Sequence, residues 1–239
     1  MLIAGNWKMF KTPSQAAGFC RELRQPLGDV SDIEIAVCPP YVSLTSAIEV
    51  LAGSRVEVYS QNVHWAENGA FTGEVSAAML LELGVDGAIV GHSERRQYFG
   101  ETDETVAKRA KATIDAGMKV IACVGELESE RDANETEAVL ARQMAPIVKE
   151  IGEHERLVIA YEPVWAIGTG KTASPAQAEE AHAFIRSILD VPILYGGSVK
   201  PDNAGELMSQ PNVNGALVGG ASLDVDTFVS LCAAAAVVA

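Results

Sequence analysis

The chain has 239 residues, 48% hydrophobic and 21% charged, with 21 glycines and 10 prolines, a composition that excludes a disordered or fibrous protein. Lys and Arg number 18 against 32 Asp and Glu, a formal charge of −14, which repels phosphate backbones and anionic membrane surfaces and argues against a nucleic-acid partner. A small anionic ligand would have to be captured by local N–H groups and one or two lysines, against the global field.

Short apolar, β-branched runs recur along the chain at 2–6, 33–38, 56–61, 87–91, 119–124, 157–162, 192–195 and 215–218, and these are the eight predicted strands. Several are apolar throughout, as in parallel strands covered on both faces. Helices are predicted between and after them at 13–25, 42–51, 76–83, 103–116, 134–151, 175–189, 202–208 and 225–236. Ser174 followed by Pro175 is a helix start signal, and Gly84 and Gly117 stand where helices should stop. Alternating β and α units of about thirty residues predict a (β/α)8 TIM barrel, eight parallel strands with outer helices. The competing open doubly wound sheet wants a glycine fingerprint after strand one, where this chain has Asn6-Trp7-Lys8. No linker or composition break divides the chain, so one domain, 1–239, is expected. The loop at 61–75 is long and carries Gly69, Phe71 and Gly73, a poor tip for solvent and a candidate interface.

Chemistry in such a barrel belongs to the C-terminal ends of the strands. Lys8 follows strand one in a nearly apolar decapeptide and is either a surface charge or a ligand for an anion. Gly91-His92-Ser93-Glu94-Arg95 follows strand four; it lacks the final glycine of a serine nucleophile elbow. His92, close to a helix start, should have its imidazole held neutral by the positive helix end. His64, His154 and His182 fall in a loop, a charged stretch and a helix and read as structural. Glu162 ends strand six, where burial would raise its pKa toward that of a general base, the alternative being a structural ion pair. Gly168-Thr169-Gly170-Lys171 fails the P-loop pattern because Trp165 replaces its first glycine, and reads as a glycine-bearing lid over 166–170. Gly196-Gly197-Ser198 and Gly219-Gly220 follow strands seven and eight, either as turns or as a phosphate site of backbone N–H groups with a short helix.

These segments, Asn6–Met9, Gly91–Arg96, Ala160–Lys171, Tyr195–Val199 and Leu217–Leu223, together resemble the triosephosphate isomerase family from end to end and in order. The resemblance implies isomerisation of dihydroxyacetone phosphate and D-glyceraldehyde 3-phosphate through an enediolate, in glycolysis and gluconeogenesis, without metal or cofactor. By it, Glu162 is the base, His92 the electrophile, Asn6 and Lys8 stabilise the enediolate, and Glu94 supports Lys8. Gly168, Ser198, Gly219 and Gly220 bind the phosphate, and Thr72 in the 61–75 loop reaches a second subunit, making a homodimer. Phe10 and Leu127 depart from frequent family residues. The alternatives are another phosphosugar barrel enzyme or a catalytically inactive phosphate-binding barrel.

Cys20, Cys38, Cys123 and Cys232 fall singly, without metal-ligand spacing. With no leader-like start and no apolar run of roughly 18 residues, the expectation is a cytoplasmic protein with reduced thiols.

Overall fold

The computed structural model describes residues 1–28, 30–168 and 171–239. Its strands are β1 (Leu2–Asn6), β2 (Glu34–Cys38), β3 (Val56–Ser60), β4 (Gly87–Val90), β5 (Lys119–Val124), β6 (Leu157–Tyr161), β7 (Ile193–Tyr195) and β8 (Gly215–Val218). They pair in sequence order, all parallel, and β8 returns to β1, so the sheet closes into the expected barrel. Closure leaves no strand edge unpaired.

Outside the barrel lie α1 (Pro13–Gly28), α2 (Leu44–Leu51), α3 (Ala77–Leu83), α4 (Ser93–Phe99), α5 (Asp103–Asp115), α6 (Glu128–Asp132), α7 (Thr136–Glu150), α8 (Pro175–Ile188), α9 (Pro201–Met208) and α10 (Val225–Ala236). The start of α8 is the predicted one: Gln177 N–H donates to Ser174 Oγ, and Ser174 N–H donates to Gln177 Oε1. Only the start of α4, beside His92, is expected from the sequence, and α6 lies outside the predicted helices. Helix α4 buries only Ser93, and α6 buries nothing; a helix without a buried face leaves no apolar period to read. The segment predicted as helix from 42 begins instead with a 3₁₀ turn, Tyr41–Ser43.

Strand periodicity decides what faces the axis. Leu2 and Ala4, Ile121 and Cys123, Val158 and Ala160, Leu194, and Leu217 belong to one buried cluster. Their alternates Ile3, Val120, Ile159 and Ile193 belong to the larger cluster that includes the helices' apolar side chains. This is the period of two in which successive side chains point to opposite faces. Continued one step past the apolar strand ends, the inner file reaches Asn6, Gly125, Glu162, Gly196 and Gly219. At the opposite end Lys119 Nζ bridges Glu34 (2.7 Å) and Glu57 (3.0 Å), and the inner Tyr59 hydroxyl donates to Glu57 Oε2. No described helix is long and apolar enough to cross a membrane.

Where β5 and β6 end, the backbones nearly touch. Glu162 N–H donates to Val124 O (2.7 Å), while Gln143 holds both the N–H and the carbonyl of Gly125. A Cβ at Gly125 would run into the carbonyl oxygen of Glu162. Gly125→Ala should therefore cost about 3 kcal/mol or more and lower the melting temperature by roughly 6–12 °C. An unchanged melting temperature would show that the two strand ends have slack.

Candidate functional site

The inner file ends in a cavity of about 730 Å³ at the C-terminal mouth of the barrel. Asn6, Lys8, His92, Glu162, Gly168, Ser198, Gly219 and Gly220 all line it. Glu94 does not, but its Oε1 accepts from Lys8 Nζ at 2.6 Å.

Lys8 has φ = +51°, a left-handed conformation that is uncommon for a residue with a side chain and that persists only where its surroundings enforce it. Asn6 Oδ1 accepts its backbone N–H (3.0 Å). Gln61 Nε2 donates to its carbonyl and to that of Cys38, each at 2.8 Å. The ammonium is thus aimed by its backbone and tethered by Glu94. Gln61 stands at the end of a predicted strand, so the same rule that selects Lys8 could have found it.

His92 is the N-cap of α4, and its Nδ1 accepts the N–H of Glu94 (3.2 Å). A nitrogen that accepts carries no proton, so the neutral ring holds its proton on Nε2. That nitrogen lies 3.0 Å from Glu162 Oε1. The other carboxylate oxygen accepts the N–H of Ser93 (2.7 Å). The sequence expectation of a ring held neutral by the helix end does not account for its titration. Burial, the largest single influence, works against protonation of His92, yet the Glu162 and Glu94 carboxylates together outweigh it and the net shift is upward. Glu162 also departs from expectation. Burial pushes its carboxyl up, but His92, the Ser93 N–H and Lys8 together bring it below the usual range. The missing piece in the sequence argument was the pair of donors that meets the buried carboxylate.

On the far side, Gly220–Leu223 forms a 3₁₀ turn whose Ser222 hydroxyl donates to Gly219 O (2.7 Å). Beside it the Ser198 hydroxyl donates to Ala166 O (3.0 Å), tying the loop after β6 to the loop after β7. A Cβ at Gly168 or Gly220 would meet nothing within 4 Å, so backbone, not side chain, faces the open space there. Of the predicted lid, Thr169 and Gly170 lie outside the described residues. Lys200 also lines the cavity. Behind the site the buried Glu126 accepts from Tyr161 Oη (3.0 Å), Trp165 Nε1 (2.9 Å) and Arg131 Nη1 (3.0 Å). It too follows a strand end, two residues after β5.

The family described as triosephosphate isomerase has a sequence profile that matches residues 1–235. A triosephosphate isomerase of Solibacter usitatus is 50% identical, over 96% of this chain and 97% of its own. One of Carboxydothermus hydrogenoformans is 51% identical, over 96% of each. The crystal structure of triosephosphate isomerase from Bartonella henselae is similar with a TM-score of 0.89 at 38% identity, over 98% of each chain.

Because the Glu162 carboxyl is held below its usual 4.5, its contribution to stability is present above that value and disappears as pH falls through the lowered one. Thermal melts of the wild type and of Glu162→Gln between about pH 3 and pH 6 should converge toward the acid end. A gap independent of pH would mean that the carboxylate is not stabilised in the folded state.

Proposed function

The chain belongs to the triosephosphate isomerase family, and from that premise we propose that it interconverts dihydroxyacetone phosphate and D-glyceraldehyde 3-phosphate by moving one proton between adjacent carbons. The observation that carries the reading is the pairing of a protonated Nε2 on His92 with the carboxylate of Glu162 in one mouth, next to the ammonium of Lys8. An N–H donor, a base and a cation together suit enolisation of a carbonyl beside a hydroxymethyl group.

In this reading Glu162 takes a proton from the hydroxymethyl carbon. His92 Nε2–H polarises the carbonyl, passes its proton to that oxygen and takes one back from the hydroxyl on the neighbouring carbon, so the ring ends as it began. Lys8 and Asn6 offset the negative charge of the enediolate, Glu94 keeps Lys8 oriented, and the protonated Glu162 returns its proton to the neighbouring carbon. Gly168, Ser198, Gly219 and Gly220 hold the phosphate through backbone groups. No electron transfer or hydrolysis is involved, so the reaction calls for no metal or cofactor. Exclusion of water from the mouth would protect the intermediate, since an enediolate beside a phosphate ester can expel that phosphate.

The chain would act as one domain, in the cytoplasm, where its four buried, unpaired cysteines stay reduced. It would also act as a homodimer. Large apolar side chains are exposed after β1 (Met9, Phe10), in the 61–75 loop (Trp65, Phe71) and on α4 (Tyr98, Phe99), more than a monomer leaves bare without reason. The loop is internally ordered: the His64 ring stacks on Trp65 at 4.2 Å and meets Phe71 at 4.3 Å. Thr72 at its tip would then touch the partner's active-site side.

A coupled isomerase assay in the presence of chelator should show full turnover, and Glu162→Ala should lose roughly 10²–10⁴-fold while remaining folded. A wild type that binds phosphate but does not turn over would favour an inactive phosphate-binding barrel; turnover only with other sugar phosphates would favour another phosphosugar enzyme. Deleting 68–73 should give a less active monomer by sedimentation. An intact chain that sediments as a monomer at about micromolar concentration, far above the Kd of a stable dimer, would remove the dimer from the account.

A further inference from the structure

The layer behind the mouth contains a histidine to which the reaction gives no part. His182, on α8, is fully buried. Its Nδ1 lies 3.1 Å from Asn212 O. A carbonyl oxygen can only accept, so Nδ1 carries the ring proton and Nε2 is a bare acceptor. That acceptor is buried with no partner among the described residues, as is Glu126 Oε2 nearby in the same layer. Buried polar atoms left unpaired are costly, and native structures keep them where something other than stability is served. An alkyl side chain at 182 would bury no such atom.

The ring lies between two tyrosines. It meets Tyr161 edge to face, at 5.7 Å between centroids and 87° between planes, and Tyr195 at 6.4 Å and 34°. Each tyrosine is the last residue of its strand, Tyr161 directly before Glu162 and Tyr195 directly before the Gly196-Gly197-Ser198 loop. Each also reaches one end of the loop that follows β6. Tyr161 Oη donates to Glu126, which holds the Trp165 indole N–H at the near end. The Tyr195 hydroxyl, which burial pushes up to about 12, is drawn the other way by the backbone of Ala173 at the far end. There is no room to rearrange locally, since a Cβ on Gly197 would strike the Tyr195 ring.

We propose that His182 is a positioning residue for the isomerisation: its ring, anchored on Asn212, sets the spacing of Tyr161 and Tyr195 and thereby the footing of both ends of the 163–173 loop. The proposal rests on the isomerase reading above. The ring is suited to the task because it stays uncharged, burial having lowered its pKa to about 4. It is shorter than a tyrosine or tryptophan, flat enough to lie between two rings, and fixed in rotation by one hydrogen bond. The helix that carries it is held to the same anchor, since Asn212 donates from its backbone (3.0 Å) and side chain (2.6 Å) to Glu179 one turn earlier.

The test compares His182→Asn, which keeps a donor for Asn212 O but removes the ring, with His182→Phe, which keeps a ring and loses the donor. Loss of the footing should displace Trp165 and Ala173 and leave the intermediate more open to water. His182→Asn should then lower kcat on the order of 10-fold with KM changed much less, and a measurable share of turnovers should end as inorganic phosphate and methylglyoxal. Amide hydrogen exchange should quicken over 163–173 and not in β1 to β5. His182→Phe should bring the product partition back toward the wild type. If the asparagine variant does not fold, His182→Leu, which buries no polar atom, carries the same readouts. Clean isomerisation with wild-type exchange in the ringless variant would overturn the proposal, as would exchange that quickens uniformly through the barrel. A wild type without isomerase activity would sink the reaction but not this spacing role, which the local exchange at 163–173 decides by itself.

Discussion

A closed parallel barrel allows each strand only two directions for its side chains, and half of them must enter a space already filled by those of the other strands. Small and apolar residues such as Ala4, Ala36, Cys123 and Ala160 satisfy that limit within the strands. Just beyond the strand ends the packing is relieved while the direction persists. Asn6 and Glu162 therefore point into the mouth without any loop having to aim them, and Gly196 and Gly219 leave room beside them. A Cβ on Gly196 would approach Glu162 Cγ to 2.8 Å, so the space taken by the carboxylate arm is space that its neighbour gives up.

Placing a carboxylate there is unfavourable unless donors meet it. Glu162 meets the Ser93 N–H and the imidazole of His92, both from the first residues of α4 and its cap, and these hold it ionised. Those donors belong to the resting arrangement. A substrate that draws the carboxylate off Ser93 removes one of them and leaves burial to push the carboxyl upward, which is the direction a proton acceptor needs in order to keep what it takes. The chain's charge of −14 sharpens the matter on the anion's side: attraction has to come from Lys8, Lys200 and backbone N–H groups concentrated in a single mouth.

What could be read from the chain and what could not divide along physical lines. The β strands and most helices announce themselves because burial imposes a period on their sequence. Helices α4 and α6 bury almost nothing and so leave no apolar period, and only the start of α4, beside His92, is legible. Position at a strand end singles out Lys8 and Glu162 as candidates, while their separate roles come only from the resemblance to the family. Gln61 and Glu126 occupy equivalent positions but act through hydrogen bonds to a carbonyl and to side chains far along the chain, and such pairings exist only after folding. His182 is harder still. Its neighbours come from two strands and a distant turn, and nothing in its helix distinguishes it from a buried core residue.

As the proposed base, Glu162 would carry a proton from one carbon of the substrate to the next. Isomerisation run in deuterium oxide and followed by proton NMR tests it directly, because a protonated carboxyl can trade its proton with solvent in some turnovers before it returns it. The account predicts deuterium on the carbon next to the carbonyl in the product or the recovered substrate, and predicts that Glu162→Ala slows its appearance together with turnover. Turnover that leaves both molecules free of deuterium and is indifferent to Glu162→Ala would contradict it.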